Sequence, residues 1–143
     1  MTSPHLDALA NLARIKKLKA EPPDARERAG LLRSATVRLR DARQTTLALE
    51  SRFDLAYNAA HAAALSALRT HGYRSDNRYL VFQCLEHTLG FTPAQWLLLN
   101  QAHNKRNLAE YEGDLDVTVG FVTELIDHVD ALIAAAQALR SSE

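Results

Sequence analysis

The segment 105–111 carries a cation, an amide, a carboxylate and a phenol within seven residues. At 100° per residue, a helix through this segment places His103, Asn107 and Glu110 on one stripe, with Arg106 at its edge. The stripe borders the apolar face of the helix, so these polar groups are expected at the margin of a packed surface. Any chemistry that this chain specifies is expected to begin here.

Arg106 is the group in this segment with the clearest chemistry. Its guanidinium is a planar fork of donors that matches a phosphate or a carboxylate and does not deprotonate. Asn107 could orient the guanidinium or contact the same ligand. Glu110 lies one turn after Arg106, which also allows an i,i+4 ion pair worth about 0.3 kcal/mol. A third interpretation is a buried polar network that fixes the helix against its neighbour.

The helix that carries this segment has well-defined ends in the sequence. Thr92 and Gln95 have the spacing of a capping box, and Pro93 suits the first helical position. Gly113 is a typical residue for a helix C-terminus. The sequence therefore predicts a helix from Pro93 to about residue 111 or 112.

Apolar residues at helical spacing predict the other elements. We expect a first helix over 4–19 with Ser3 as its N-cap, and a second over 24–42 with Asp24 as its N-cap. Thr45-Thr46 would interrupt a helical pattern that continues to residue 70. Helices are also expected over 78–89 and from Asp114 or Asp116, as N-cap, to about residue 139.

The first predicted helix has a cluster of cations in its last turns. These cations are Arg14, Lys16, Lys17 and Lys19. Because the helix dipole favours positive charge at this end, the dipole alone would account for the cluster.

Composition predicts an all-α fold, an up-down bundle of five to six helices in one domain over 1–143. Of the 143 residues, 47% are apolar and 24% charged, while 5 Gly and 4 Pro leave little material for turns. Residues 1–44 either join the bundle or form an arm that grips a second subunit. A lone Cys84 and the lack of long apolar runs predict a cytoplasmic protein without membrane segments.

The zero net charge hides two oppositely charged halves. Residues 1–78 carry 14 Lys and Arg against 8 Asp and Glu, and residues 79–143 carry 3 against 9. This asymmetry allows internal ion pairing, self-association, or a basic face for a polyanion such as RNA. No metal or cofactor is expected, because Cys84 and His87 supply only two ligands and no phosphate-binding glycine loop occurs.

Residues 45–140 resemble the HEPN superfamily, and more closely its small bacterial members. The resemblance rests on Arg106-Asn107 followed by Tyr111, on Gly72-Tyr73-Arg74, and on the stretch 83–90. It implies a helical bundle, a homodimer, and a metal-independent endoribonuclease of the toxin–antitoxin or defence type, often paired with a minimal nucleotidyltransferase.

The family's catalytic signature is an Arg, usually followed by a polar residue, with a His four to six residues after the Arg. Arg106 and Asn107 match its first two positions, but Tyr111 stands where the closest spacing would put His. Tyrosine, with a pKa of about 10, is a poor base at neutral pH. His103 is the best substitute in the chain, and its alternative role is that of a hydrogen-bonded helix histidine.

Two functions therefore stay open at the level of sequence. In the first, the chain binds RNA or a nucleotide through Lys105, Arg106, Asn107 and Tyr111, and Tyr111 stacks on a base. Cleavage would then be carried out by Arg106, Asn107, Tyr111 and His103. In the second, the chain is a catalytically inactive subunit that partners a minimal nucleotidyltransferase. DNA binding is disfavoured, because no helix combines a basic face with turn–helix spacing.

Overall fold

The computed structural model describes residues 4–139 and confirms the all-α helical bundle. Six helices of six or more residues and a single-turn helix accompany one two-stranded ribbon. In chain order they are α1 (Pro4–Arg14), β1 (Lys19–Ala20), α2 (Ala25–Ala42), α3 (Leu49–Thr70), β2 (Tyr73–Arg74), α4 (Arg78–Gln83), α5 (Leu85–Thr88), α6 (Pro93–Glu112) and α7 (Val119–Ala138).

Helix α3 is the centre of the bundle. It packs mainly against α2 and α7, and it also contacts α4, α5 and α6. Its alanines at positions 56, 59, 60, 62, 63, 64 and 67 are all buried. Because alanine adds only a methyl group to the backbone, the neighbouring helices can approach α3 closely from several sides. Tyr57 is 1% exposed within this small-residue surface, so its ring fills the space beside them.

Helix α6 lies at the periphery of the bundle, and its ends are the ones that the sequence predicts. The Thr92 side chain accepts from the Gln95 N–H, and the Gln95 side chain accepts from the Thr92 N–H, which completes the capping box. Gly113 ends the helix with φ of 72°, a left-handed conformation that glycine adopts without strain. Only Leu99 and Ala102 of α6 are fully buried, so most of this helix faces outward.

The first helix ends five residues earlier than its predicted end at residue 19. After Arg14 the chain turns through Lys16, whose φ of 64° is left-handed, and Lys17 N–H donates to the Leu12 carbonyl. The following residues form β1, in which Lys19 pairs with Arg74 of β2. The helical prediction was wrong here because this ribbon depends on a partner more than 50 residues away. Ser3, the predicted cap, lies outside the described residues.

Three other boundaries differ from the sequence prediction. Residues 43–48 form a true break, and Arg52 Nε donates to the Ala42 carbonyl across it. The helix predicted over 78–89 divides at Cys84 into α4 and α5. The last helix is capped by Thr118, which accepts from Phe121 N–H, and not by Asp114 or Asp116. Asp24 caps α2 as predicted.

Leu9 and Leu18 are buried in the same core as α3, so α1 and the turn after it pack onto the bundle. No helix within residues 4–139 is long and apolar enough to cross a membrane.

Candidate functional site

His103 lies at the centre of a polar cluster between α3 and α6. Its Nδ1 is 2.9 Å from the Tyr57 hydroxyl and its Nε2 is 3.1 Å from the Asn107 amide nitrogen. Because the amide donates to Nε2, a neutral ring carries its proton on Nδ1 and donates it to Tyr57 Oη. The three side chains thus form a hydrogen-bonded chain that runs from the core to the surface of α6.

Two guanidinium groups approach the ring of Tyr57. The Arg106 Cζ atom is 5.2 Å from the ring centroid, and the Arg78 Cζ atom is 5.6 Å from it. Both distances are within the range of cation–π attraction. Arg78 is the first residue of α4, and its Nη1 donates to Asn58 Oδ1 at 3.0 Å. Three helices therefore bring two positive charges and two amides, those of Asn58 and Asn107, around one aromatic ring.

The two cations and the burial of the cluster change its acid–base behaviour. Burial first, and then the charges of Arg106 and Arg78, lower the pKa of His103 below its ordinary value of 6.5. The same two arginines and a stronger burial lower the pKa of His61 to about 4. Burial raises the pKa of Tyr57. At neutral pH the histidines are therefore uncharged, and the arginines carry the positive charge of the site.

Arg106 also has a carboxylate partner. Its Nη2 lies 3.0 Å from Glu110 Oε1, in the i,i+4 geometry that the sequence allows. The Glu110 side chain is 62% exposed, so water screens this pair and it adds little stability. A depression of about 430 Å³ next to Arg106 is lined by Glu50, Asp54 and Glu110 among others. These carboxylates disfavour an anion there, so an anion is better placed on the Arg78 side of Arg106.

The structure brings some of the predicted site residues together and separates others. His103, Arg106 and Asn107 belong to one cluster. Lys105 points elsewhere, because its Nζ donates to the Asp116 carbonyl and lies 5.3 Å from the ring centroid of Phe121. Tyr111 is 92% exposed in the last turn of α6 and has no contact with the cluster in the described part of the chain. Tyr111 is therefore not placed to take the role of the family's His in this cluster.

The contribution of α3 and α4 to this cluster was not predicted from the sequence. Tyr57, Asn58 and His61 interrupt an alanine-rich helix, and Tyr57 and His61 are four residues apart on one face. Such polar residues on a helix that is otherwise buried are a usable signal. Arg78 had no comparable signal, because its role depends on the position of α4 beside α3.

The cysteine and histidine considered for a metal do not form a site. Burial raises the pKa of Cys84 to about 11, which keeps the thiol protonated. His87 Nδ1 lies 3.1 Å from His5 Nδ1. Across residues 4–139 no group of three or more His, Cys, Asp or Glu side chains is arranged to hold a metal ion.

Comparison with known proteins gives no match for this chain, whether against family models, curated proteins or solved structures.

Proposed function

We propose that this protein binds RNA or a nucleotide through a phosphate-binding site formed by Arg78 and Arg106, as a HEPN-like protein of a toxin–antitoxin or defence system. The observation that carries the proposal is the approach of both guanidiniums to Tyr57 from different helices. Two like charges repel unless an anion or a π face offsets them. A phosphate bound between them would accept several charge-assisted hydrogen bonds.

The same cluster supports a metal-independent cleavage reaction. Neutral His103 could take the proton of a ribose 2′-hydroxyl, whose oxygen then attacks the adjacent phosphorus while Arg106 and Arg78 stabilise the added negative charge. The bond from phosphorus to the 5′-oxygen of the next nucleotide breaks as the new bond forms, and this leaving oxygen takes a proton from protonated His103 or from water. The products are a 2′,3′-cyclic phosphate and a 5′-hydroxyl. His103 Nε2 is the nitrogen available for this role, and it becomes free only when Asn107 turns away. Cleavage therefore requires a rearrangement on substrate binding, whereas phosphate binding does not.

The outward face of α6 supports the homodimer in this proposal. Leu97, Leu108 and Tyr111 are exposed large apolar side chains on one stripe of this helix, and Asn104 lies midway along it. A second copy in antiparallel orientation would place Leu97 opposite Tyr111 at both ends of the stripe. A Tyr111→Asp/Leu108→Asp variant should then be a monomer by light scattering, while the wild type is a dimer. A monomeric wild type at high concentration would contradict this arrangement.

The test of phosphate binding uses labelled oligouridylate and UMP with the metal-free protein. Arg106→Ala and Arg78→Ala should each weaken binding of both ligands by about tenfold or more, since a charge-assisted hydrogen bond contributes about 1.5–3 kcal/mol. Arg33→Ala, which removes an exposed arginine of α2, is the control and should leave UMP binding unchanged. Undiminished binding in both site variants would refute the assignment. Cleavage products that disappear in His103→Gln would identify the ribonuclease.

A second candidate function is an inactive subunit that partners a minimal nucleotidyltransferase. It is favoured by the saturation of the cluster, because both ring nitrogens of His103 are occupied and Arg106 is paired with Glu110. Co-expression with a nucleotidyltransferase encoded beside this chain should then yield a stable complex. This candidate fails if Arg106→Ala abolishes an RNA cleavage that the wild-type protein carries out alone.

A further inference from the structure

Three lysines lie just beyond the end of α1. The helix ends at Arg14, so Lys16 and Lys17 are in the following turn and Lys19 is in β1. We call these three residues the ribbon patch. The helix dipole acts within the last turn of a helix, so it accounts for Arg14 and not for the patch. The concentration of cations at this point needs another explanation.

The ribbon patch carries more positive charge than the carboxylates around it neutralise. Lys16 and Lys17 are exposed and form no ion pair within residues 4–139, and Lys19 lies 3.7 Å from Glu21. Glu21 is engaged more closely by Arg74, at 2.9 Å. Glu21 and Glu27 are thus matched by two guanidiniums, those of Arg69 and Arg74. Asp76, which lies at the same depression, offsets one of the three lysine charges. The other lysine charges remain in excess.

The surface beneath the patch is concave and rigidly supported. A depression of about 350 Å³ is lined by all three lysines together with Arg74, Ser75 and Asp76. Arg69, only 2% exposed, holds the adjoining chain by donating to the carbonyls of Glu21 and Pro22 at 2.9 and 2.7 Å. These bonds tie down the backbone beside the patch, so that less of the chain has to become ordered when an extended ligand binds.

Lys16 occupies a conformation that glycine would adopt more easily. Its φ is 64°, and its N–H donates to the Ala13 carbonyl at 3.0 Å while Lys17 N–H donates to Leu12 at 2.9 Å. This is the hydrogen-bond pattern of a Schellman helix end, in which glycine is the usual left-handed residue. A lysine in this left-handed conformation carries backbone strain that glycine would avoid, which favours a function for its side chain.

We propose that the ribbon patch binds the backbone phosphates of a single-stranded RNA whose other end occupies the Arg78–Arg106 site. The loop 75–77 connects β2 to α4, so Arg74 at the patch and Arg78 at the site are four residues apart. Their Cα atoms are separated by at most ~14 Å, the length of about four stacked nucleotides. The inference rests on the proposed function and extends it, since the substrate becomes an oligonucleotide and not a free nucleotide.

RNA fits this surface better than a membrane does. An interfacial membrane site needs a broad apolar face beside its cations. Ile15, 62% exposed, is the single large apolar side chain exposed next to the patch in the described chain. The polar loop 75–77 lies on the other side, where the Ser75 hydroxyl and the Asn77 amide can donate to phosphate or ribose oxygens and the Asp76 carboxylate can accept from a ribose hydroxyl.

The experiment compares UMP with oligouridylates of increasing length at several salt concentrations. The test variant is Lys16→Gly/Lys17→Ala, and the control is Arg33→Ala/Arg40→Ala, which removes two exposed cations from α2. The wild type should bind long oligouridylate more tightly than UMP. The patch variant should lose that gain and bind UMP as the wild type does. For long oligouridylate, the slope of the logarithm of the binding constant against the logarithm of the salt concentration should be smaller in magnitude by about 1.4, because each phosphate contact of a single strand contributes about 0.7. Its melting temperature should not fall, since glycine relieves the strain at position 16.

The outcomes separate the two proposals. If affinity increases equally with oligouridylate length in the patch variant and the wild type, the ribbon patch does not bind RNA, and the Arg78–Arg106 proposal is unaffected. Loss of affinity in the α2 control equal to that in the patch variant also overturns it, because the effect is then one of overall charge. Binding to vesicles of anionic phospholipid but not to oligouridylate overturns it in favour of a membrane. A wild type that binds neither UMP nor oligouridylate refutes the proposed function itself.

Discussion

His61 should make the stability of this protein sensitive to mild acid. Its ring packs edge-on against Phe82, with 6.2 Å between the centroids, and its buried Nε2 has no hydrogen-bond partner among the described residues. Burial, followed by the charges of Arg78, Arg106 and Arg38, lowers its pKa from 6.5 to about 4. In the unfolded chain the same ring binds a proton at a higher pH, so protonation favours unfolding.

The size of this effect follows from the two pKa values. The contribution of His61 to the free energy of unfolding is fully present above pH 6.5. It falls as the pH decreases from 6.5 to about 4 and stays constant below that. Since a tenfold change in an equilibrium corresponds to about 1.4 kcal/mol, lowering the pH from ~7.5 to ~4.5 should remove about 2.5 kcal/mol of the free energy of unfolding through His61 alone. His71, His87, His103 and His128 also have lowered pKa values and add to the total.

The His61 contribution can be isolated by urea denaturation of the wild type and His61→Leu across this pH range. At pH ~7.5 the variant should unfold within about 1 kcal/mol of the wild type, because Nε2 makes no bond that leucine would break. Between pH ~7.5 and ~4.5 the wild type should lose about 2.5 kcal/mol more than the variant. His61→Gln, which also cannot titrate, should show the same pH dependence of the free energy of unfolding as the leucine variant. Parallel pH dependence in all three proteins would show that the pKa of His61 does not differ between the folded and unfolded states.

Three further substitutions test the packing around the site and the ribbon. Tyr57→Phe should lower the free energy of unfolding by about 1 kcal/mol, because His103 Nδ1 loses its partner, and near-ultraviolet circular dichroism should show an otherwise native core. Arg69→Met should cost about 3 kcal/mol or more in urea denaturation, since it leaves Glu27 Oε1 and two carbonyls without their donor, while Arg74 still donates to Glu27 Oε2; a neutral effect would show that the ribbon folds without Arg69. Thr92→Ala should cost about 1 kcal/mol through loss of the α6 cap, and Thr92→Ser should not.

Local signals in the sequence predicted the fold class and the ends of α6. The capping box of Thr92 and Gln95 and the left-handed Gly113 are interactions within a few residues, so the chain encodes them without reference to its partners. The alanine-rich pattern of α3 predicted close packing for a similar reason, because small side chains permit it wherever the helix lies. The errors at the first helix and the last cap arose where a distant strand and a competing Thr118 decided the outcome. The break at 43–48 and the division at Cys84 were not predicted either.

The candidate site was also predicted only in part from the sequence. Helical periodicity alone placed His103 and Asn107 one turn apart and Arg106 beside Glu110, and the structure has both pairs in contact. It could not determine that Tyr111 would be exposed, since the orientation of the last turn depends on what α6 packs against.

The convergence of α3, α4 and α6 depends on the packing of the whole bundle. Tyr57, Arg78 and His103 are far apart along the chain, and their contacts exist only because α4 crosses beside α3 and α6 covers the same side. The same is true of the ribbon, whose strands are separated by more than 50 residues. Residue patterns along the chain were enough to predict most helices, several caps and pairs of side chains one turn apart, because these depend on local geometry. The electrostatic field at Tyr57 and the lowered pKa of His61 required the packed bundle, because burial and charge separation are properties of the whole fold.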